Sequence, residues 1–104
     1  MKLERQFLVF GKPNCPHCER AKNLLTSKGE SFAHYDVSTD AEAYQEMIAN
    51  VTFHDGKPPK TVPQIFMYTS AHDELVEEYI GGADQLVAFL SKEDLTDEDF
   101  NFDL

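Results

Sequence analysis

The chain has no tryptophan, only two cysteines and only nine basic residues among its 104. Two cysteines are too few for the disulfide framework of a small secreted domain, and no apolar run approaches the ~20 residues of a membrane helix. Nineteen acidic residues give a formal net charge of −10, the wrong sign for binding phosphate backbones. We therefore expect no membrane and no nucleic acid among its partners. Because the start MKLERQ lacks a signal-peptide apolar stretch, we expect a cytoplasmic protein.

Hydrophobic residues nevertheless make up 41% of the chain, with eight Phe and four Tyr, which is enough for one compact core. The negative charge is unevenly distributed along the chain. Residues 91–104 hold six acidic residues and one lysine, a net of −5, which is half the total. The sequence predicts one folded domain over residues 1–91 and an acidic, flexible C-terminal tail over residues 92–104.

The order of apolar segments predicts an α/β fold with elements β-α-β-α-β-β-α, a four-stranded mixed sheet flanked by about three helices. An apolar run over 6–10 ends at Gly11, and Pro16 suits the first turn of a helix. Thr39 and Glu42 form a capping-box pattern for the second helix, and Asp84 can cap the third. The first two strands are expected to be parallel and the last two to form an antiparallel hairpin.

The two cysteines form a Cys15-Pro16-His17-Cys18 motif between a predicted strand and a predicted helix, where C-x-x-C is typical of redox sites. Unpaired N–H groups and the positive end of the helix dipole favour a thiolate there. Cys15, first and more exposed, is expected to attack, whereas Cys18, one turn further and more buried, stays protonated until it resolves a mixed disulfide. Pro16 stiffens the turn.

The remaining histidines do not support a metal site. Zinc needs four ligands, and the chain has no second C-x-x-C and no H-x-x-x-H, so we expect no metal. A c-type haem would need histidine where Glu19 stands. We expect His34 on a half-exposed strand face and His54 and His72 near turns. His17 either tunes the Cys15 thiol or is an exposed spacer.

Two further segments carry backbone groups suited to binding. Thr61-Val62-Pro63 precedes a predicted strand, and a cis Val62–Pro63 bond would present the valine backbone to an extended peptide. Gly81-Gly82 precedes a helix start, where free N–H groups can hold a carboxylate. Each segment has a simpler alternative, since X-Pro bonds in folded proteins are mostly trans and a glycine pair before a helix is more often just a turn.

Taken together, these motifs resemble glutaredoxins, the glutathione-dependent branch of the thioredoxin-fold superfamily, from about Phe7 to Leu90. The resemblance implies a dithiol oxidoreductase with Cys15 as nucleophile and Cys18 as resolving thiol. It implies glutathione as co-substrate, no bound cofactor, and a glutathione site formed by Lys12, Thr61, Val62, Pro63, Gly82, Ala83 and Asp84. Disulfide-containing proteins, with ribonucleotide reductase as one candidate, are the implied partners of a monomer.

The chain departs from the family pattern at two places. His17 stands where tyrosine is common, and Gln85 stands where an aspartate is frequent. The stretch Gly-Gly-Ala-Asp-Gln-Leu is similar to that of some phage-encoded glutaredoxins. If this chain is phage-encoded, its expected location is the host cytoplasm.

Two other functions stay open at this point. One is a thioredoxin-like redoxin fed by thioredoxin reductase, although the W-C-G-P-C motif typical of thioredoxins is absent. The other is a protein that binds an iron–sulfur cluster between two chains through Cys15 and glutathione. The acidic, aromatic end Asp99–Leu104 also loosely resembles the peptide with which ribonucleotide reductase small subunits dock, and a solubilising tail is the alternative.

Overall fold

The computed structural model describes residues 4–71 and 74–102. Seven elements follow one another in the predicted order β-α-β-α-β-β-α. They are β1 Glu4–Gly11, α1 Pro16–Ser27, β2 Phe32–Asp36, α2 Ala41–Asp55, β3 Gln64–Ala71, β4 Glu74–Gly81 and α3 Ala83–Phe102. The predicted α/β class is confirmed.

The four strands form one mixed sheet in the order β2-β1-β3-β4. β1 runs parallel to β2, and β3 and β4 form an antiparallel hairpin, as predicted. β1 also pairs with β3 in antiparallel fashion, so the strand before the cysteine motif lies in the middle of the sheet. A central strand is covered on both faces, which explains its unbroken apolar run.

Side chains from the two faces of the sheet form two apolar clusters. Successive residues of a strand point to opposite faces, so Phe7 and Val9 belong to one cluster and Phe10 to the other. The first cluster packs α1 and α3 on the sheet through Leu25 and Leu86. The second packs α2 on the other face, with Met47 and Val51 among its members. The fold is therefore a three-layer arrangement whose α1 and α3 share one side.

The start of α1 at Pro16 agrees with the sequence, whereas the caps of α2 and α3 differ from the expected ones. α1 ends before Gly29, which has φ +71°, and the N–H of its neighbour Glu30 donates to Leu25 O at 2.9 Å, as is typical of a helix that ends at glycine. The N-cap of α2 is Asp40 rather than Thr39, because the Asp40 carboxylate accepts from the N–H groups of Glu42 and Ala43 at 3.1 Å.

The predicted cap of the third helix is also wrong. α3 begins at Ala83, and the Gly82 carbonyl accepts the first helical hydrogen bond from Leu86 N–H at 2.9 Å. Asp84 therefore lies inside the first turn. The side chain of Gln85 takes the capping role instead, because its Oε1 accepts from Gly82 N–H at 2.9 Å.

The C-terminal part of α3 crosses the predicted boundary between domain and tail, since its helical backbone continues to Phe102. The division at residue 91 stays a prediction. The docking peptide suggested for the acidic end includes residues 103–104 and the side chains after Glu93, which lie outside the described part of the structure. Within the described ranges, no helix is both long enough and apolar enough to cross a membrane.

Candidate active site at the start of helix α1

Cys15 occupies the N-cap position of α1, with Pro16 at the first helical position. Its backbone is extended, and its Sγ accepts a hydrogen bond from Cys18 N–H at 3.3 Å. This N–H is one of the groups that a helix start leaves without a backbone partner. A negative charge on Cys15 Sγ is therefore stabilised both by this bond and by the helix dipole. Cys15 is buried as a residue, with 7% of its surface exposed.

Cys18 lies one turn further along α1 and is fully buried. Burial, followed by the hydrogen bond with Cys15, raises the pKa of the Cys18 thiol to about 11. The backbone N–H of Lys12 and the charge of Lys22 act in the opposite direction. At neutral pH Cys18 is accordingly a thiol, and the two cysteines differ in surroundings although they share one helix turn.

The loop before β3 lies against the cysteine pair. The Val62–Pro63 peptide bond is cis, and Val62 O is 3.9 Å from Cys15 Sγ. Pro63 is buried, Val62 is half-buried and Thr61 is exposed. The buried side chain of Gln64 anchors the loop, because its Nε2 donates to Thr61 O at 2.8 Å while its Oε1 accepts from Tyr79 OH at 2.6 Å.

The start of α3 adjoins the same loop. Gly81 has φ +113°, a conformation that side chains rarely adopt. At Gly82, a Cβ would lie 3.6 Å from Pro63 O and 3.2 Å from Gln85 Oε1. The next two residues differ in exposure, with Ala83 buried and Asp84 exposed. The three predicted motifs, far apart in sequence, are therefore neighbours.

The cations around the cysteines are mostly paired. Arg20 Nη1 binds Asp84 Oδ1 at 2.9 Å and so joins α1 to α3, and Lys22 Nζ binds Glu19 Oε2 at 3.0 Å. Lys12 is exposed at the end of β1, and no carboxylate among the described residues lies within ion-pairing distance of it. Lys12 is thus the cation most available to an anionic ligand. His17 is exposed on the first turn of α1, next to Pro16.

Two residues near Cys18 escaped the sequence reasoning. A Cβ on Gly11 would stand 2.8 Å from Cys18 Sγ and 3.2 Å from His34 Nε2, so the absence of a side chain at Gly11 makes room for both. The sequence predicts a half-exposed His34, and the residue is half-buried, but its Nε2 is buried without a hydrogen-bond partner. The sequence does carry a signal for this burial. His34 lies two residues after Phe32 on the same strand, so both side chains point to the same face of the sheet and to the same apolar cluster.

The described residues contain no group of three or more His, Cys, Asp or Glu side chains placed to hold a metal ion. The chemistry available is that of the thiols. A C-x-x-C pair at the N-terminus of a helix, packed on a β2-β1-β3-β4 sheet beside a cis-proline loop, defines the thiol–disulfide oxidoreductases of thioredoxin-like fold, and this chain is one of that class.

Comparison with known proteins narrows the class. The family model described as Glutaredoxin matches residues 7–70. Glutaredoxin 3 of Escherichia coli strain K12 is 39% identical over 80 residues, which cover 77% of this chain and 80% of that protein. The crystal structure of wheat glutaredoxin superposes with a TM-score of 0.63 at 27% identity, covering 86% of this chain and 72% of the wheat chain.

A second solved structure, the buckwheat glutaredoxin–glutathione complex, has a TM-score of 0.62 at 22% identity and shows the shared fold. It covers 88% of this chain and 74% of the buckwheat chain. The chain belongs to the glutaredoxin family. It is accordingly a glutathione-dependent thiol–disulfide oxidoreductase, as the resemblance of its motifs implies.

Proposed function

We propose that Cys15 is the nucleophile and Cys18 the resolving thiol of a dithiol mechanism acting on protein disulfides and on glutathione mixed disulfides. The observation that carries this assignment is the asymmetry of the pair. Cys15 caps α1, keeps 7% of its surface exposed and accepts the Cys18 N–H bond at Sγ, whereas Cys18 is fully buried and is a thiol at neutral pH. The less buried, N–H-stabilised sulfur attacks, and the fully buried sulfur stays protonated until it resolves the mixed disulfide.

The reaction proceeds in two exchanges. Cys15 thiolate attacks one sulfur of the substrate disulfide, forms a mixed disulfide and releases the other sulfur as a thiolate. Cys18, after losing its proton, attacks Cys15 Sγ, so that a Cys15–Cys18 disulfide forms and the second substrate sulfur leaves. Two electrons pass from the cysteine pair to the substrate. Two molecules of glutathione then return the pair to the dithiol form and become glutathione disulfide. A protein–glutathione mixed disulfide requires only Cys15.

We further propose that glutathione binds along the surface where the three motifs meet, a surface formed by Lys12, Thr61, Val62, Pro63, Gly82, Ala83 and Asp84. The contact of Val62 O with Cys15 Sγ supports pairing of the Val62 backbone with the cysteinyl part of glutathione. The N–H groups of Ala83 and Asp84 in the first turn of α3 suit the γ-glutamyl carboxylate. Gly82 N–H already bonds Gln85, so its use by glutathione would require that side chain to move.

Lys12 provides the first test of this surface. We expect Lys12→Gln to raise the KM for glutathione mixed disulfides roughly tenfold with little change in kcat, because a charge-assisted hydrogen bond of about 1.5 kcal/mol is lost equally from ground and transition states. Steady-state kinetics measure this effect. Lys57→Gln, which removes an exposed lysine from the loop after α2, is the matched control. Equal changes in both variants would show that only the overall charge matters.

The source of electrons provides the second test. With a glutathione mixed disulfide as substrate, we expect turnover with glutathione and glutathione reductase, and little or none with thioredoxin reductase. The reverse result would favour the thioredoxin-like alternative. A brown colour with charge-transfer absorbance after anaerobic purification would favour the cluster-binding alternative instead.

We propose ribonucleotide reductase as the protein substrate. We also propose that the protein acts as a monomer in the cytoplasm. A compartment that keeps thiols reduced suits a cysteine pair that must return to the dithiol form. The same electron-supply assay with oxidised ribonucleotide reductase as substrate tests the first proposal. Deletion of residues 92–104 then tests the tail, since loss of a tether raises the apparent KM for that enzyme but not for small disulfides.

A further inference from the structure

His34 carries a buried nitrogen that nothing in the described structure satisfies. Its Nε2 is inaccessible to water and has no hydrogen-bond partner. Leaving a buried polar atom unpaired destabilises the fold, so a retained one calls for an explanation. The dithiol mechanism described above assigns no task to this residue.

The position of His34 is set by the sheet. In the parallel pair β1–β2, His34 stands opposite Val9, whose side chain lies in the cluster under α1 and α3. The imidazole thus points toward α1, the helix that carries Cys18. His34 Nε2 and Cys18 Sγ converge on Gly11, where a Cβ would be 3.2 Å from the first and 2.8 Å from the second. The missing side chain of Gly11 therefore leaves a space that both atoms border, and the structure has no hydrogen bond between them.

The surroundings of His34 keep its ring neutral. Burial, followed by the charge of Lys22 on α1, lowers the pKa of His34 below its usual value of 6.5. Asp36 on β2 and Glu19 on α1 act in the opposite direction but do not reverse the shift. At pH 7 the ring is therefore uncharged, and in the tautomer protonated at Nδ1 the Nε2 atom carries a free lone pair.

We propose that His34 Nε2 is the proton acceptor of Cys18 in the resolving step. The inference rests on the proposed division of labour between Cys15 and Cys18. The Cys18 proton passes to His34 Nε2 as Cys18 Sγ attacks Cys15 Sγ; the new S–S bond forms and the bond from Cys15 to the substrate sulfur breaks. The substrate sulfur leaves as a thiolate with the electron pair, and the imidazolium of His34 holds the Cys18 proton until the pair is reduced again and Cys18 takes the proton back.

A chromogenic aromatic disulfide separates the two exchanges in a stopped-flow experiment. The first coloured thiolate is released when Cys15 attacks, and the second when Cys18 resolves the mixed disulfide. Cys18→Ser should show the first phase without the second. If the second phase persists in that variant, the proposed roles of the two cysteines fail, a result that is independent of His34.

The pH profile of the second phase in the unaltered protein tests the proton acceptor without any substitution. With His34 as acceptor, the rate should be nearly constant between about pH 7 and pH 9. If solvent removes the proton, the rate should rise about tenfold per pH unit, because the Cys18 thiolate fraction rises tenfold per unit below its pKa. A tenfold rise per unit would overturn the proposal.

Replacement of His34 completes the test. We expect His34→Gln to slow the second phase roughly 100-fold at pH 7 and to convert its flat profile into one that rises with pH, while the first phase keeps its rate. His54→Gln, which alters a histidine bonded to Glu77 on β4, is the control and should change neither phase. A His34→Gln protein with native circular dichroism and an unchanged, flat second phase would refute the assignment.

Discussion

Cys15→Ser is expected to abolish reduction of every disulfide substrate, whereas Cys18→Ser is expected to spare reduction of protein–glutathione mixed disulfides. Cys15 Sγ is the sulfur that caps α1 and Cys15 is the less buried of the two cysteines, so its loss removes the attacking group, with a decrease of about 10³-fold or more. A serine hydroxyl at this position does not ionise at neutral pH. Cys18 is needed only where an intramolecular disulfide must form.

The measurement compares each variant on two substrates, a glutathionylated peptide and an intramolecular protein disulfide. Cys18→Ser should lose activity on the protein disulfide alone. Equal losses of both variants on both substrates would contradict the division of labour. Native circular dichroism of the two variants is the control, because Cys18 is fully buried and its replacement by a polar residue also tests the packing.

The second large effect concerns the reactivity of Cys18. In the Cys15→Ala protein, we expect iodoacetamide to alkylate Cys18 about a hundredfold more slowly than a free thiol at pH 8, because only the thiolate reacts. Burial, the largest cause of the pKa of about 11, persists in this variant, although the hydrogen bond with Cys15 is lost. Mass spectrometry of the tryptic peptide follows the reaction. Alkylation at the rate of free cysteine would contradict the burial of this sulfur.

The raised pKa of Cys18 also makes the stability of the fold depend on pH. The folded state holds the Cys18 proton more tightly than the unfolded chain, whose thiol has the ordinary pKa of 9.0. The stabilisation by this group is therefore fully present below about pH 9 and is lost as the pH rises toward about 11. Urea unfolding across this range should show the free energy of unfolding fall, and a Cys18→Ala protein should lack that part of the decrease.

Much of the fold could be predicted because its signals are local. The apolar run of β1, Pro16 at a helix start and Gly29 at a helix end each depend on a few neighbouring residues. It was harder to predict which of two neighbouring residues caps a helix. Thr39 and Asp40 can both cap a helix, and Asp40 does so because the Thr39 hydroxyl is engaged by Asp36. Likewise Asp84 binds Arg20 on another helix, while Gln85 caps α3.

The candidate site likewise has features that could be predicted from one segment and features that depend on contacts between distant segments. The C-x-x-C motif and the Thr-Val-Pro and Gly-Gly segments could be recognised singly, but their convergence depends on β3 lying beside β1. His34 could be placed on a strand, yet its buried Nε2 depends on α1 folding back over the sheet and on Gly11 leaving space. Contacts between residues far apart in sequence leave no signal in either segment alone.

By itself, the sequence determined the order of the elements, the spacing of Cys15 and Cys18 and the helix start on which they lie, because backbone capping and apolar periodicity act over a few residues. Only the tertiary structure decided which cysteine is fully buried, which cations are already paired and which histidine borders Gly11 together with Cys18. Those properties depend on burial and on charges brought together by the sheet, and burial is a property of the packed chain.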